Sequence, residues 1–257
     1  MSSFLQLFTD HAASAFARQL ALGDLIGERR WGIDLDDGVI RFGQDMTFPV
    51  QVLGSHASHD DTWLWGWANV RMGLSPRLLV ASEKLRSEGD ALHIDELTEP
   101  KFVLGDVTDH MLAMLCASLC DATCYYRAPY DGGALFVLLE ELPDAVRAPV
   151  DGARAITVLT EVVAQVSVDH RRMCESFLRQ QGFAFEGTAS LLRATRPDAT
   201  TLSVEFDEVG RMVGLKAGAR PGAQPGAQPT SAPSTPVPAS RAASHPAPPK
   251  KPWWRIW

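Results

Sequence analysis

Apolar side chains recur every three or four residues from position 3 to 22, placing Phe4, Leu7, Phe8, Ala12, Ala15, Phe16, Gln19 and Leu20 on one stripe. That is the period of an amphipathic helix, and Gly23 is its expected stop. The period then shortens to two. WGIDL and VIRFG flank Asp36-Asp37-Gly38, a strong hairpin signal that predicts strands over 30–35 and 39–43. FPVQVLGS and TWLWGWAN predict a second pair across the polar stretch 56–61. Ser75-Pro76 opens a helix through about Ser87, with proline in the first turn where its missing donor costs nothing. Thr108 and Asp109 can cap another through HMLAMLCASLC, which Asp121 ends. CYYRAPYDGGALFVLLEEL reads as a third hairpin, and Ala153 to about Gln181 as a helical stretch that bends or restarts at Asp169. LLRATRP, TLSVEF and RMVGLKA read as three more strands. Hairpins interspersed with helices mean antiparallel pairing, so the expected class is α+β.

After Lys216 the composition changes abruptly. Residues 217–252 hold ten of the 17 prolines and nine alanines, too little apolar surface to offset the entropy of ordering, so this stretch is expected to be disordered. The organisation predicted is a globular domain over 1–216, which could be two subdomains, a Pro/Ala-rich linker over 217–249, and a terminal motif, KKPWWRIW, over 250–257. A linker of that length reaches from about 30 Å when flexible to over 100 Å when extended.

Charge sharpens the division. The last 41 residues carry five bases and no acid, so a tail of +5 is attached to a body of −12, which together make the −7 of the whole chain. A body so acidic repels phosphate backbones, which argues against nucleic acid as its partner. Asp10 and His11 interrupt the apolar start where an export signal needs an unbroken run, and the four cysteines show no Cys-x-x-Cys or disulfide-framework spacing. The expected setting is a reducing cytoplasm, with peripheral attachment to the inner membrane face as a variant. No apolar run approaches the roughly 18 residues of a membrane span.

Trp63, Trp65 and Trp67 alternate along a predicted strand, so their indoles should share one face. We read them as core between sheet and helices. A stacking platform for a sugar or base is the alternative. LGSHASHDDTWLWGWAN, after the WGIDLDDGVIRFG hairpin, resembles the signature of a bacterial family known only as a domain of unknown function, over about residues 20–216. The resemblance implies an α+β domain and carries no catalytic residue or ligand with it.

Chemistry-bearing residues are few. His56, His59, Asp60 and Asp61 fall within six residues and could ligate a divalent cation, although a solvated hairpin loop is the simpler reading. Asp34, Asp36 and Asp37 resemble the start of a calcium loop, but Gly38 comes one position early and no Glu follows at the twelfth, so a turn is expected. Cys116, Cys120 and Cys124 step by four, and His170 and Cys174 by one turn; both sets are read as structural, with buried thiols acting as small hydrophobes. No phosphate-loop, dinucleotide, HExxH or GxSxG motif occurs, and no catalytic residue, metal ligand or cofactor is assigned.

The motif KKPWWRIW asks for a function, because exposed aromatics at the end of a tether mark a binding element. Lys250, Lys251, Trp253, Trp254, Arg255 and Trp257 are its candidate partner-binding residues. The preferred reading is a cytosolic adaptor or immunity-like interaction protein whose tail recruits a protein partner. Weak attachment to an anionic membrane is an alternative. So are folding of the tail back onto the acidic body and an enzyme with a cleft in that body.

Overall fold

Ser2 opens the first helix, its hydroxyl accepting from the Leu5 amide, and α1 then runs over Ser3–Ile26. The computed structural model describes residues 2–120 and 124–219. Thus α1 does not stop at Gly23; it continues one turn to a cap at Gly27, because Leu22, Gly23 and Ile26 are themselves buried. Small side chains at Ala12, Ala13, Ala15 and Ala17 let neighbouring helices pack against α1 on several sides.

The predicted hairpins form. The first is β1 (Trp31–Asp34) with β2 (Val39–Phe42), closed by a four-residue loop and not a two-residue primed turn. Gly38 takes a positive φ there, and the Asp34 carboxylate accepts the Asp36 and Asp37 amides, so the aspartates serve the turn. A long strand, β3 (Met46–Ala57), follows and pairs with β4 (Thr62–Trp65). The chain continues through 3-10 turns into α2 (Val80–Leu92), α3 (Asp95–Thr98) and β5 (Lys101–Val103). The predicted helix from Ser75-Pro76 is therefore a 3-10 turn followed by α2. The periodicity showed neither α3 nor β5, which are too short to carry a repeat.

Thr108 caps α4 (Asp109–Leu119), and the hairpin of β6 (Cys124–Tyr130) and β7 (Gly133–Leu139) turns through Asp131-Gly132. These seven strands make one antiparallel sheet in which β3 pairs with β2, β4 and β7. Every residue of β7 is buried. Ala134, Phe136 and Leu138 face a core shared with α1 and α4, while Leu135, Val137 and Leu139 face a second core with Ile40, Phe42, Val50 and Tyr126. Burial on both faces explains why this strand reads as an unbroken apolar run.

Asp169 caps a separate helix, so the long helical stretch is α5 (Gly152–Gln165) and α6 (His170–Gln180). A second antiparallel sheet has the order β11 (Met212–Ala219), β10 (Thr200–Phe206), β9 (Leu191–Thr195) and β8 (Ala184–Thr188). β8 was not predicted, because its residues are mostly exposed and carry little apolar alternation. Leu192, Ala194, Leu202, Val204 and Phe206 alternate onto one face and join the core of α1 and α4. β11 runs three residues past the boundary predicted at Lys216. Residues 220–249 of the predicted linker and the KKPWWRIW motif lie outside the described residues, as does Asp121.

The outer strand β6 would expose a row of unpaired backbone groups, the usual hazard of a sheet edge. Pro129 is tolerated there because it has no donor to lose. Further in, the buried Gln19 side chain of α1 donates to the Tyr125 carbonyl (3.1 Å) and accepts the Tyr125 amide (3.0 Å), pairing with the strand as another strand would. Gln19→Leu leaves both backbone groups buried and unmet, and is expected to cost about 2 kcal/mol or more in urea unfolding. A loss under about 0.5 kcal/mol would mean that the amide does not hold the edge.

Candidate functional site

Three regions bear on function: the β3–β4 loop, the tryptophan strand, and the surface of the C-terminal sheet. At the first, the four residues considered for a metal divide into two groups. Asp60 accepts the Thr62 hydroxyl (2.7 Å), which holds its carboxyl below the usual range, and lies near His59 and Lys101. His56 turns the other way. Its Nε2 meets Asp61 at 2.9 Å and its Nδ1 lies 2.9 Å from Asp109, at the start of α4, a charge contact without an aligned hydrogen bond. Arg127 from β6 approaches the same Asp109 carboxylate at 3.6 Å. The two carboxylates sit against opposite ring nitrogens, so they cannot share an ion with the imidazole. Among the described residues no group of three or more His, Cys, Asp or Glu is placed to hold a metal.

What this arrangement does is tie the β3–β4 loop, α4 and β6 together. Beside it, His110 is paired with the Tyr125 hydroxyl and held down to about 4, chiefly by burial, with Arg127 and His56 adding and Asp109 opposing. Burial also pushes the Tyr125 phenol up. Sequence reading missed Asp109, His110, Tyr125 and Arg127, since nothing in a linear spacing marks residues that meet only through the sheet.

The tryptophan strand divides as well. Trp63 and Trp65 are fully buried, edge to face at 5.5 Å, and Trp63 packs on Phe136 at 5.2 Å. A Cβ at Gly54 would lie 2.9 Å from the Trp63 ring and 2.5 Å from the Leu64 carbonyl, so glycine there makes room for the indole. Trp67 departs from the predicted strand: β4 ends at Trp65, and Gly66–Ala68 is a 3-10 turn that leaves Trp67 half-buried beneath the Arg86 guanidinium, 4.4 Å from the ring centre. The three rings are therefore not one platform; two are core and one is a rim residue.

Nearly all of this frame, from the first turn of α1 through β7, falls in a stretch that a known sequence family shares. The chain belongs to DUF6882, a family of unknown function, whose profile matches residues 5–142. The DUF6882 match begins earlier than the resemblance suggested and ends at Leu142, so α5, α6 and the second sheet lie beyond it. No curated protein and no solved structure matches the chain.

Cysteine candidates in this DUF6882 chain are structural. Cys116 lies on α4, Cys120 caps it and Cys124 begins β6, so the predicted stripe breaks where the helix ends. All four cysteines are free, and burial pushes the Cys124 and Cys174 thiols up to about 12 and the Cys116 thiol well up too. His170 uses Nδ1 to accept the Met212 amide (3.1 Å), which fixes the start of α6 against β11.

An open groove of about 1110 Å³ lies between the start of α6 and the turns Ala189-Ser190 and Asp207–Arg211. Many of its charges are engaged. Arg171 binds Glu175 and the Thr188 and Ala189 carbonyls, Arg172 binds Asp10 through both oxygens, and Asp207 caps its own turn. Val209 stands 73% exposed at the tip, between Glu208 and Arg211. The motif residues Lys250, Lys251, Trp253, Trp254, Arg255 and Trp257 lie outside the described residues.

Proposed function

We propose that this DUF6882 chain is a cytoplasmic interaction protein, an adaptor in which the body offers a surface to one partner and the tethered KKPWWRIW motif recruits another. The observation that carries the reading is the division of charge and aromatics: a −12 body followed by a +5 tail in which three tryptophans stand beyond a proline-rich spacer. The geometry of the body is compatible with it. Its histidine and cysteine candidates hold strands and helices in place, and the groove beside α6 is open, with an exposed valine at the rim. β11, the last described strand, forms an edge of the second sheet and ends at Ala219. Tethering raises the effective concentration of one partner near the other without any new contact. Four free thiols fit a reducing compartment. No helix among the described residues is long and apolar enough to cross a membrane.

The test compares partners co-purifying with the full chain, with a chain ended after Ala219, and with a full chain carrying Trp253→Ala and Trp254→Ala. At least one partner is expected to be lost from both altered proteins. Identical partner sets in all three would remove the tail from the function.

A further inference from the structure

The groove beside the start of α6 is lined by four carboxylates and three guanidiniums, and their charges do not cancel in place. Arg171 is paired with Glu175, and Arg172 is held by Asp10, which lies outside the lining. Asp169 and Asp207 accept backbone amides, of Arg172 and of Val209 and Arg211. Neither they nor Glu208 form an ion pair among the described residues, so three carboxylates face the one remaining guanidinium, that of Arg211. Val168, Phe206 and the 73% exposed Val209 supply the apolar part. An acidic concavity with an apolar rim fits a basic, aromatic segment. Concavities of about 270 and 330 Å³ elsewhere on the body have less than a third of its volume of about 1110 Å³.

The chain carries such a segment at a suitable distance. KKPWWRIW holds three bases, three tryptophans and no acid. Arg211 lines the groove and β11 starts at the next residue, so eight strand residues at about 3.3 Å each put Ala219 roughly 25 Å from it. Residues 220–249, thirty in number, separate Ala219 from the motif. A random coil of that length has an r.m.s. span of about 30 Å. Effective concentration is highest when the span of a tether matches the gap it must bridge, and here the two agree.

We propose that KKPWWRIW docks in this groove of its own chain, its bases beside Asp169, Asp207 and Glu208 and an indole on Val209. The groove then competes with any partner for the motif. This rests on the adaptor reading in taking the motif as a binding element, and adds how that element is regulated. At an effective concentration on the order of 1 mM, a groove Kd of about 0.1 mM keeps the motif docked about ten times as often as free. A partner's apparent affinity is lowered by roughly the same factor.

Amide spectra of the full chain, with and without Trp253→Ala and Trp254→Ala, decide it. Shifts are expected at Ser190 and over 208–211, and they persist on dilution because the contact lies within one chain. A full chain carrying Glu208→Gln and Val209→Gln, both at exposed positions, is expected to lose this response and to be cut by trypsin after Arg255 severalfold faster. No shift at these amides, shifts confined to another face, or an unchanged tryptic rate would overturn the proposal. So would shifts that vanish on dilution, which place the motif of a second copy in the groove. Loss of a partner without a groove response removes only the docking, and a groove response with identical partner sets removes only the recruitment.

Discussion

Trp63→Ala is expected to lower the free energy of unfolding by about 3–5 kcal/mol, whereas Trp67→Ala, four residues along, costs about 1 kcal/mol. The difference follows from where the rings lie. Trp63 is fully buried between Trp65 and Phe136 in the core that α1 and α4 share with the sheet, and truncation leaves a cavity that the rigid hairpins cannot close. Trp67 sits half-buried on a 3-10 turn, and what it loses is chiefly the stacked Arg86. Trp63→Phe should cost less than the alanine change, because the Trp63 indole N–H has no acceptor among the described residues and its removal relieves an unmet donor. Urea unfolding of the three variants measures all of this. Equal losses for Trp63→Ala and Trp67→Ala would contradict the division of the strand into core and rim.

Stability is expected to fall as pH drops from about 6.5 to about 4, with His110 as the main cause. The folded protein holds this imidazole at about 4, against an ordinary value near 6.5 in the unfolded chain. A lowered folded value means that the unfolded chain takes up the proton first. The contribution is therefore complete above about 6.5 and is lost progressively down to about 4. A displacement of that size corresponds to roughly 3 kcal/mol. His11, lowered by burial, acts in the same direction. Asp34 and Asp60, lowered by hydrogen bonds to their carboxylates, lose their contributions only at more acid pH, so the two effects separate. Urea midpoints at pH 7, 5.5 and 4.5 test the claim. His110→Gln, which retains a partner for the Tyr125 hydroxyl, should flatten most of the slope, and an unchanged slope would exclude His110 as its source.

Where the fold was legible, local chemistry agreed with tertiary demand. Thr108 and Asp169 mark helix starts on sequence alone, and each caps a helix. Asp131-Gly132 makes the two-residue turn that its composition predicts. Legibility failed where burial overrode propensity, as at Gly23, which α1 runs through because the next turn is also wanted in the core. It failed again at Trp67, where a period-two pattern outlasts the strand that should carry it. β8 escaped notice because an exposed edge strand needs no apolar face.

The sequence by itself determined the α+β class, the hairpins and most helix boundaries, because caps, turns and hydrophobic periods act between residues a few positions apart. It also determined the contrast between an acidic body and a basic, tryptophan-ended tail, since composition requires no folding to be read. The folded chain alone shows that His56 reaches Asp109 and Asp61 through opposite ring nitrogens, that Gln19 completes the edge of β6, and that Ser176 and Gln180 of α6 donate to the Asp10 carbonyl of α1. Those relations join residues as much as 170 positions apart. They exist only because burying the apolar faces of the sheets against α1 forces the attached polar groups into contact, and a linear pattern holds no information on which polar groups those will be.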